Sequence, residues 1–430
     1  MASVVFYFQV HQPFRLRRYS VFDEDPFYFD DQHNAEICRK VADKCYRPAT
    51  AKILDLVRRH EGRFRVSYAL TGVVLDQLEQ WAPDVIDLFK QLAETGCCEF
   101  LGETYYHSLS FLYSREEFRQ QVDLHSKRIE ELFGVTPTVF RNTELIYTND
   151  LAHFIASMKN EKGEPRFKGV LCEGVDNVLG FRSPNYLYTP PGVQWRNESS
   201  PFRVMLKNYR LSDDIAFRFS NRAWAEWPLS AEKFAGWVDQ INGDGYVCNL
   251  FMDYETFGEH QWADTGIFEF LDAMPGKVFD VNPGHNHFNT PCEAIDQFDA
   301  VGEYDVPHVI SWADTERDLS AWLGNAMQSN SLHELYKLER PIKELVNASE
   351  ADEAVLHHAQ QLLNDWRKLT TSDHFYYMCT KYFADGDVHK YFNPYDSPYD
   401  AYINFMNVLD NVRTRLESLA PGRAEVGAAH

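Results

Sequence analysis

The 430-residue sequence predicts an α/β fold built on a parallel barrel. Three observations carry that expectation. Roughly seven short apolar runs read as strands and alternate with amphipathic helices. Most of these runs end in an acid or another polar group, which is where side chains gather at the C-terminal mouth of a parallel barrel. From Asp318 onward the pattern turns mainly helical. The strand count alone leaves seven and eight strands both open.

Val4 to Val10 opens the chain as a strand, with His11-Gln12-Pro13 at its end. Phe14 to Asp31 is aromatic and charged and reads as a loop or lid over a site. Pro48 to His60 is a helix with Ile53, Leu54 and Val57 on one face, and Phe64 to Leu70 is a second strand. Asp84 to Thr95 is helical and stops at Gly96. Cys97 to Leu101 is a third strand, delivering Glu103, Tyr105, Tyr106 and His107. Ser114-Arg115-Glu116-Glu117 has the form of a capping box. The helix it opens carries Phe118, Val122, Ile129, Leu132 and Phe133 at helical spacing, and Gly134 closes it. Thr138 to Phe140 is a short strand leading to Asn142-Thr143-Glu144, where Asn142 or Thr143 is also placed to cap a helix.

Gly169 to Cys172, Tyr186 to Thr189 and Phe202 to Asn208 are further strands, and Ser230 to Ile241 is a helix with Phe234, Trp237 and Val238 inward. The run Tyr246 to Met252 reads as a strand buried on both faces. At its end Asp253, Glu255, Glu259 and His260 crowd together, and such charge is costly unless it is paired or used. Tyr254, Phe257 and Trp262 are expected to wall these acids. Thr290-Pro291-Cys292-Glu293 is another capping box, with proline at the first helical position. Pro307 to Ile310 leads into Ser311-Trp312-Ala313-Asp314. Leu332 to Leu345, split by Pro341, and Ala351 to Leu369 and Tyr399 to Leu416 read as helices. His374 to Tyr399, aromatic and turn-rich, reads mostly as packing between those helices and the barrel. Ala420 to His430 reads as a frayed tail.

Composition bounds the partners. Hydrophobic residues make up 44%, enough for a sizeable core, and 64 acidic against 42 basic residues give a net charge of −22. That balance argues against nucleic acid or an anionic membrane as the main partner and permits a neutral substrate such as a sugar polymer. No apolar run is long enough to span a bilayer. Eight cysteines without metal-type CxxC spacing, and a first strand with no basic leader, point to reduced thiols in a cytoplasmic protein.

Five stretches appear in a telling order: His11-Gln12-Pro13, Gly102-Glu103-Thr104-Tyr105-Tyr106-His107, Asn142-Thr143-Glu144-Leu145, Asp253-Tyr254-Glu255-Thr256-Phe257-Gly258 and Ser311-Trp312-Ala313-Asp314. Together they resemble the sequence signatures of glycoside hydrolase family 57, the second α-amylase family, with Asp253 to Gly258 matching the fourth. The resemblance implies an incomplete seven-stranded (β/α)7 barrel in residues 1–315, a C-terminal helical bundle in 316–420 and a tail in 421–430. It implies Glu144 as catalytic nucleophile and Asp253 as acid/base of a retaining double displacement. His11, Glu103, His107, Asp214, Glu255, Trp312 and Asp314 would contact the sugar, with Asp213 beside Asp214 in a stretch similar to one in amylase-type members. No metal and no cofactor are implied. The substrates would be starch- or glycogen-type α-1,4-glucans or maltooligosaccharides. Hydrolysis of the α-amylase type is the first expectation, and 4-α-glucanotransferase or branching chemistry on the same substrates is the alternative.

The chemistry agrees with these residue types. Glycoside hydrolysis needs two carboxylates, one attacking C1 and one protonating the leaving oxygen. A like charge on Glu144 and apolar neighbours such as Phe257 would raise the Asp253 pKa enough for acid work. Two rivals are weaker. His285 and His287, with Asp280 nearby, are candidate metal ligands. Against them, Pro283 and Gly284 make the segment a loop, and His11 lacks acidic company. A glucan-binding protein with a dead site is opposed by the presence of both Glu144 and Asp253.

Overall fold

The computed structural model describes residues 2–192, 202–349, 352–383 and 393–419. The expected tail, 420–430, lies outside them. Ten strands occur among the described residues: β1 (Ser3–Val10), β2 (Val66–Leu70), β3 (Cys98–Phe100), β4 (Val139–Arg141), β5 (Gly169–Glu173), β6 (Leu187–Thr189), β7 (Arg203–Lys207), β8 (Val247–Asp253), β9 (His287–Phe288) and β10 (Ala300–Glu303). One sheet has the order β3-β2-β1-β8, with β9 also on β1; the other has the order β10-β6-β7-β5-β4. Every pairing is parallel except β6 with β7, so the expected strand at Tyr186 to Thr189 stands outside the parallel set.

Hydrogen bonds also cross between the two sheets. Gly102 N donates to Val139 O at 2.9 Å and Arg141 N to Gly102 O at 2.8 Å, joining the end of β3 to β4. On the other side Asn208 N donates to Asn249 O at 2.9 Å, and the Asn249 side chain donates to Leu206 O at 2.8 Å, joining the end of β7 to β8.

The period of two in a strand sorts the core. Val4, Phe6, Phe8 and Val10 of β1 enter one apolar cluster, whereas Val5 and Tyr7 enter another. The second cluster draws Ala69, Val139, Leu171, Met205 and Phe251 from β2, β4, β5, β7 and β8, with Leu101 just past β3. The first is completed by helices, which bring Ile53 and Val57 (Arg47–Arg59), Val85 and Phe89 (Pro83–Glu94), Phe234 and Val238 (Ala231–Asp239) and Met274 and Val278 (Ile267–Val281). Each such side chain contributes about 1.5–3 kcal/mol by leaving water. All eight cysteines are free thiols, six of them buried.

The chain divides into two compact units. The first holds 1–12, 35–105 and 121–312; the second holds 13–34, 106–120 and 313–430. The second unit is helical over Ala326–Lys337, Glu339–Ala348, Glu353–Leu369 and Pro398–Leu419. The break at Leu338 places Pro341 in the first turn of the following helix, where its missing N–H breaks no bond. Trp366 is fully buried and its Nε1 donates to Leu335 O at 2.8 Å. Asn404 accepts from Tyr19 N at 2.7 Å and donates to Arg17 O at 3.0 Å, tying the segment 13–34 to the last helix. The Glu117 carboxylate is held by Arg367 and Lys343, each at 2.8 Å. No helix among the described residues is long and apolar enough to cross a membrane.

Candidate active site

Parallel pairing sends the C-terminal ends of β1, β2, β4, β5, β7 and β8 to the same side of their sheets. Polar residues stand at those ends although the strand interiors are apolar. Register sets two pairs directly opposite each other: Gln9 beside Asp253, and Glu173 beside Lys207.

Glu144 follows β4 in a single 3-10 turn, Thr143–Leu145. The expected cap is absent, since no side-chain bond from Asn142 closes a helix. Instead Glu144 and Leu145 both adopt left-handed backbone, with φ of 57° and 50°. Such a conformation costs on the order of 1–3 kcal/mol in a non-glycine residue and persists only where neighbours fix it. Here Trp312 N donates to Glu144 O at 3.2 Å, the Asn142 amide donates to Ile146 O at 3.0 Å, and the Thr143 and Thr104 hydroxyls meet at 3.1 Å. The Glu144 side chain is half-buried, and Trp312 Nε1 donates to its Oε2 at 2.7 Å.

Behind it lies a buried polar network. The Glu103 side chain is fully buried, as is that of Arg141, whose guanidinium is 3.9 Å away. The Gln9 amide donates to Glu103 Oε1 at 3.3 Å and its carbonyl accepts from the Tyr7 hydroxyl. His125 sets the Glu103 backbone by accepting from its N–H at 3.4 Å while its other ring nitrogen bonds Leu70 O at 2.8 Å. Burial holds the Tyr7 phenol far above its ordinary range. Arg141 opposes that rise, and the carboxylates Glu103, Asp253 and Glu144 add to it.

Asp253 ends β8 half-buried, and the chain then turns through Tyr254–Thr256. Gly258 is needed for that turn. Its φ is +113°, and a Cβ there would sit 1.9 Å from Lys44 O. Tyr254 and Phe257 are fully buried against Phe8 and face the apolar core. Trp262 lies past the turn and is 60% exposed, so it does not wall the acids as expected. Glu255 is buried, accepting from the Tyr46 hydroxyl and from the Gln12 amide at 3.5 Å. A π-helical turn, Ala42–Tyr46, presents that tyrosine. Burial, then the charge of Asp253, pushes the Glu255 carboxyl up from 4.5 to about 8.

This shift has a stability consequence. An unfolded chain releases the Glu255 proton near the ordinary carboxylate pH, whereas the folded chain keeps it up to about 8. Stability from this group is therefore full at low pH and falls as pH rises, by at most about 1.4 kcal/mol per pH unit between those values. Glu255→Gln should flatten the pH dependence of denaturant unfolding across that window. Parallel curves for parent and variant would mean that Glu255 is ionised in the folded protein.

The other expected residues divide. His11 is half-buried, with Nδ1 3.0 Å from the Thr71 hydroxyl at the end of β2. Asp214 lies in the helix Tyr209–Ala216 and is held by Arg218 at 2.6 Å, while Asp213 meets Lys207 at 3.2 Å. His107 and Asp314 belong to the second unit. There His107 O accepts from Ser372 N at 2.9 Å, and the Asp314 carboxylate lies 3.5 Å from Lys381. Among the described residues no three His, Cys, Asp or Glu side chains gather as a metal site. His285 is exposed, and His287 begins β9 with its Nδ1 3.4 Å from His285 O. Tyr7, Gln9, Tyr46, Arg141 and Lys207 were not among the expected site residues. Arg141 and Lys207 each end a short apolar strand, and only the register and the ion pairs show that they are buried.

The geometry is that of a carboxylate-rich cluster at the C-terminal ends of parallel strands, the class of site found in carbohydrate-cleaving α/β enzymes. The family model described as glycosyl hydrolase family 57 matches residues 5–307. A protein of Methanocaldococcus jannaschii named "Putative alpha-amylase" is 42% identical over 414 residues, covering 94% of this chain and 83% of that protein. The chain belongs to glycosyl hydrolase family 57 and is a glycoside hydrolase. Two solved structures share the fold. A GH57-type branching enzyme from Pyrococcus horikoshii has TM-score 0.64 at 14% identity, covering 96% of this chain and 94% of that one. The α-amylase AmyC from Thermotoga maritima has TM-score 0.59 at 14% identity, covering 97% and 96%.

Proposed function

We propose that the chain is a retaining α-glucan-cleaving enzyme of the α-amylase type, with Glu144 as nucleophile and Asp253 as acid/base. The observation that carries this reading is the placement of two half-buried carboxylates past or at the C-terminal ends of parallel strands, Glu144 after β4 and Asp253 at the end of β8. The 42% identical relative that bears the α-amylase name supports the substrate class. In the first step the Glu144 carboxylate attacks C1 of the sugar while Asp253 gives its proton to the departing glycosidic oxygen. In the second, Asp253 takes a proton from water as that water attacks C1 and displaces Glu144. Two inversions return the α configuration, and the pair should stand about 5–5.5 Å apart.

In this reading seven parallel strands, β1, β2, β3, β4, β5, β7 and β8, form an incomplete (β/α)7 barrel. The hydrogen bonds from the end of β3 to β4 and from the end of β7 to β8, and the apolar cluster to which six of these strands and Leu101 just past β3 contribute, support it. Residues 1–315 are then the catalytic domain and 316–420 a helical bundle. His11 and Asp214 bind sugar hydroxyls, and the buried Glu103 and Glu255 orient their neighbours from below. Incubation with amylose, pullulan and maltooligosaccharides, followed by NMR of fresh products, tests the proposal. α-Anomeric oligosaccharides with new reducing ends are expected. Products of the β configuration would overturn it, and lengthened or branched chains without new reducing ends would mean that a sugar hydroxyl, not water, resolves the intermediate.

Neither step needs an ion. Exhaustive chelation should leave glucan turnover largely intact. Loss on chelation with recovery on added zinc would instead favour a metal at His285 and His287.

A further inference from the structure

The indole of Trp312 joins Glu144 to two buried ion pairs. Its Nε1–H donates to Glu144 Oε2 at 2.7 Å. The Arg141 guanidinium carbon lies 5.0 Å from the Trp312 ring centroid, and Lys207 Nζ lies 5.4 Å from it. Neither cation is a solvated surface charge. The Arg141 side chain is fully buried with Glu103 3.9 Å away; that of Lys207 is 6% exposed, with Asp213 at 3.2 Å and Glu173 at 3.5 Å. One tryptophan with two buried cations over it is hard to explain by packing alone.

Physical chemistry gives the arrangement a use. A cation within about 6 Å of an indole centroid is attracted to the ring's π electrons. Drawing that density toward the cations leaves the Nε1–H more positive and a stronger donor. A hydrogen bond to the charged form of a carboxyl favours that form. We propose that Arg141 and Lys207 are positioning residues that act through Trp312, strengthening the indole N–H bond that orients Glu144 and keeps it ionised for attack. The proposal rests on Glu144 as nucleophile. It gives Trp312 the work of a donor rather than of a stacking surface.

The other charged and titratable groups around this point are Tyr7 from β1, Glu103 after β3, Glu173 at the end of β5, Asp213 after β7 and Asp253 at the end of β8. Glu103 balances Arg141, and Glu173 with Asp213 outweighs Lys207, so the two clusters add no net positive charge. The donor on the Glu144 carboxylate is therefore what the proposal relies on.

The test is the pH profile of kcat/KM on a maltooligosaccharide, whose acidic limb reports ionisation of the nucleophile in the free enzyme. Trp312→Phe removes the donor and should move that limb up by about one pH unit, with the loss in kcat rather than KM. The paired variant Lys207→Met/Glu173→Gln removes one cation together with the fully buried carboxylate beside it, leaving only the partly exposed Asp213, and should move the limb the same way by a smaller amount. Lys207→Arg keeps the cation and should leave the limb in place, which decides the role of the charge even where the paired variant folds poorly. An unmoved limb with raised KM in Trp312→Phe would overturn the proposal and make the ring a sugar platform. A limb that moves in Trp312→Phe but not in the paired variant would overturn the role of Lys207. Glu144→Gln separates the levels. If it keeps its turnover, the nucleophile reading itself fails; if it is inactive while the limb stays fixed in the other variants, only this inference fails.

Discussion

Glu144→Gln is expected to fold normally and to lose about 10³-fold or more in glucan turnover. The amide keeps the shape of the carboxyl and still offers an oxygen to Trp312 Nε1, which bonds Glu144 at 2.7 Å in the parent. What it loses is the charge that attacks C1. The left-handed turn at Glu144 is held by backbone and neighbouring bonds, to Trp312 N and between Thr104 and Thr143, that the substitution does not touch. Circular dichroism and the thermal midpoint should therefore match the parent. Near-parental turnover on a soluble glucan would remove Glu144 from the mechanism.

Asp253→Asn should separate the two half-reactions. Protonation matters most for a poor leaving group such as a sugar hydroxyl and little for an activated phenolate. Glucan cleavage should nearly vanish. An activated aryl α-maltoside should still give much of its first-step burst and then stall as the glycosyl-enzyme accumulates. Azide, small enough for the space left by the carboxylate charge, should release the α-linked adduct. Equal loss on both substrates, with no burst, would make Asp253 structural. Glu255 would then be the next acid in sequence, but its burial against Tyr46 and Gln12 suits a proton held in place better than one transferred to substrate.

Particular residues show what the sequence could and could not tell. β8 was legible because a continuous apolar run ending in acids has few explanations, and the structure adds why Gly258 closes the motif: nothing larger fits against Lys44 O. The boundaries of β2, β5 and the helix Ala231–Asp239 agree with the reading within two residues or so, because period and caps are local properties. β6 was read as a strand but its antiparallel pairing with β7 was not, since a three-residue strand carries no sign of its partner's direction. Arg141 and Lys207 were passed over because a terminal cation reads as a solvated strand end. Only the register that sets Lys207 opposite Glu173 shows otherwise. Trp262 was misplaced for a similar reason: adjacency in sequence says nothing about which side of a turn a ring takes. The grouping of 13–34 and 106–120 with the C-terminal helices also depends on distant bonds, such as that between Asn404 and Tyr19 N.

The central claim is that Glu144 becomes covalently bonded to the sugar. Mass spectrometry of proteolysed Asp253→Asn, quenched after reaction with an activated aryl α-maltoside, tests it most directly. A maltosyl mass on the peptide that contains Glu144, localised to that side chain by fragmentation and absent when Glu144→Gln is added to the same protein, is the predicted result. A label on Glu255 or Glu103, or an aryl burst with no labelled peptide at all, would contradict it.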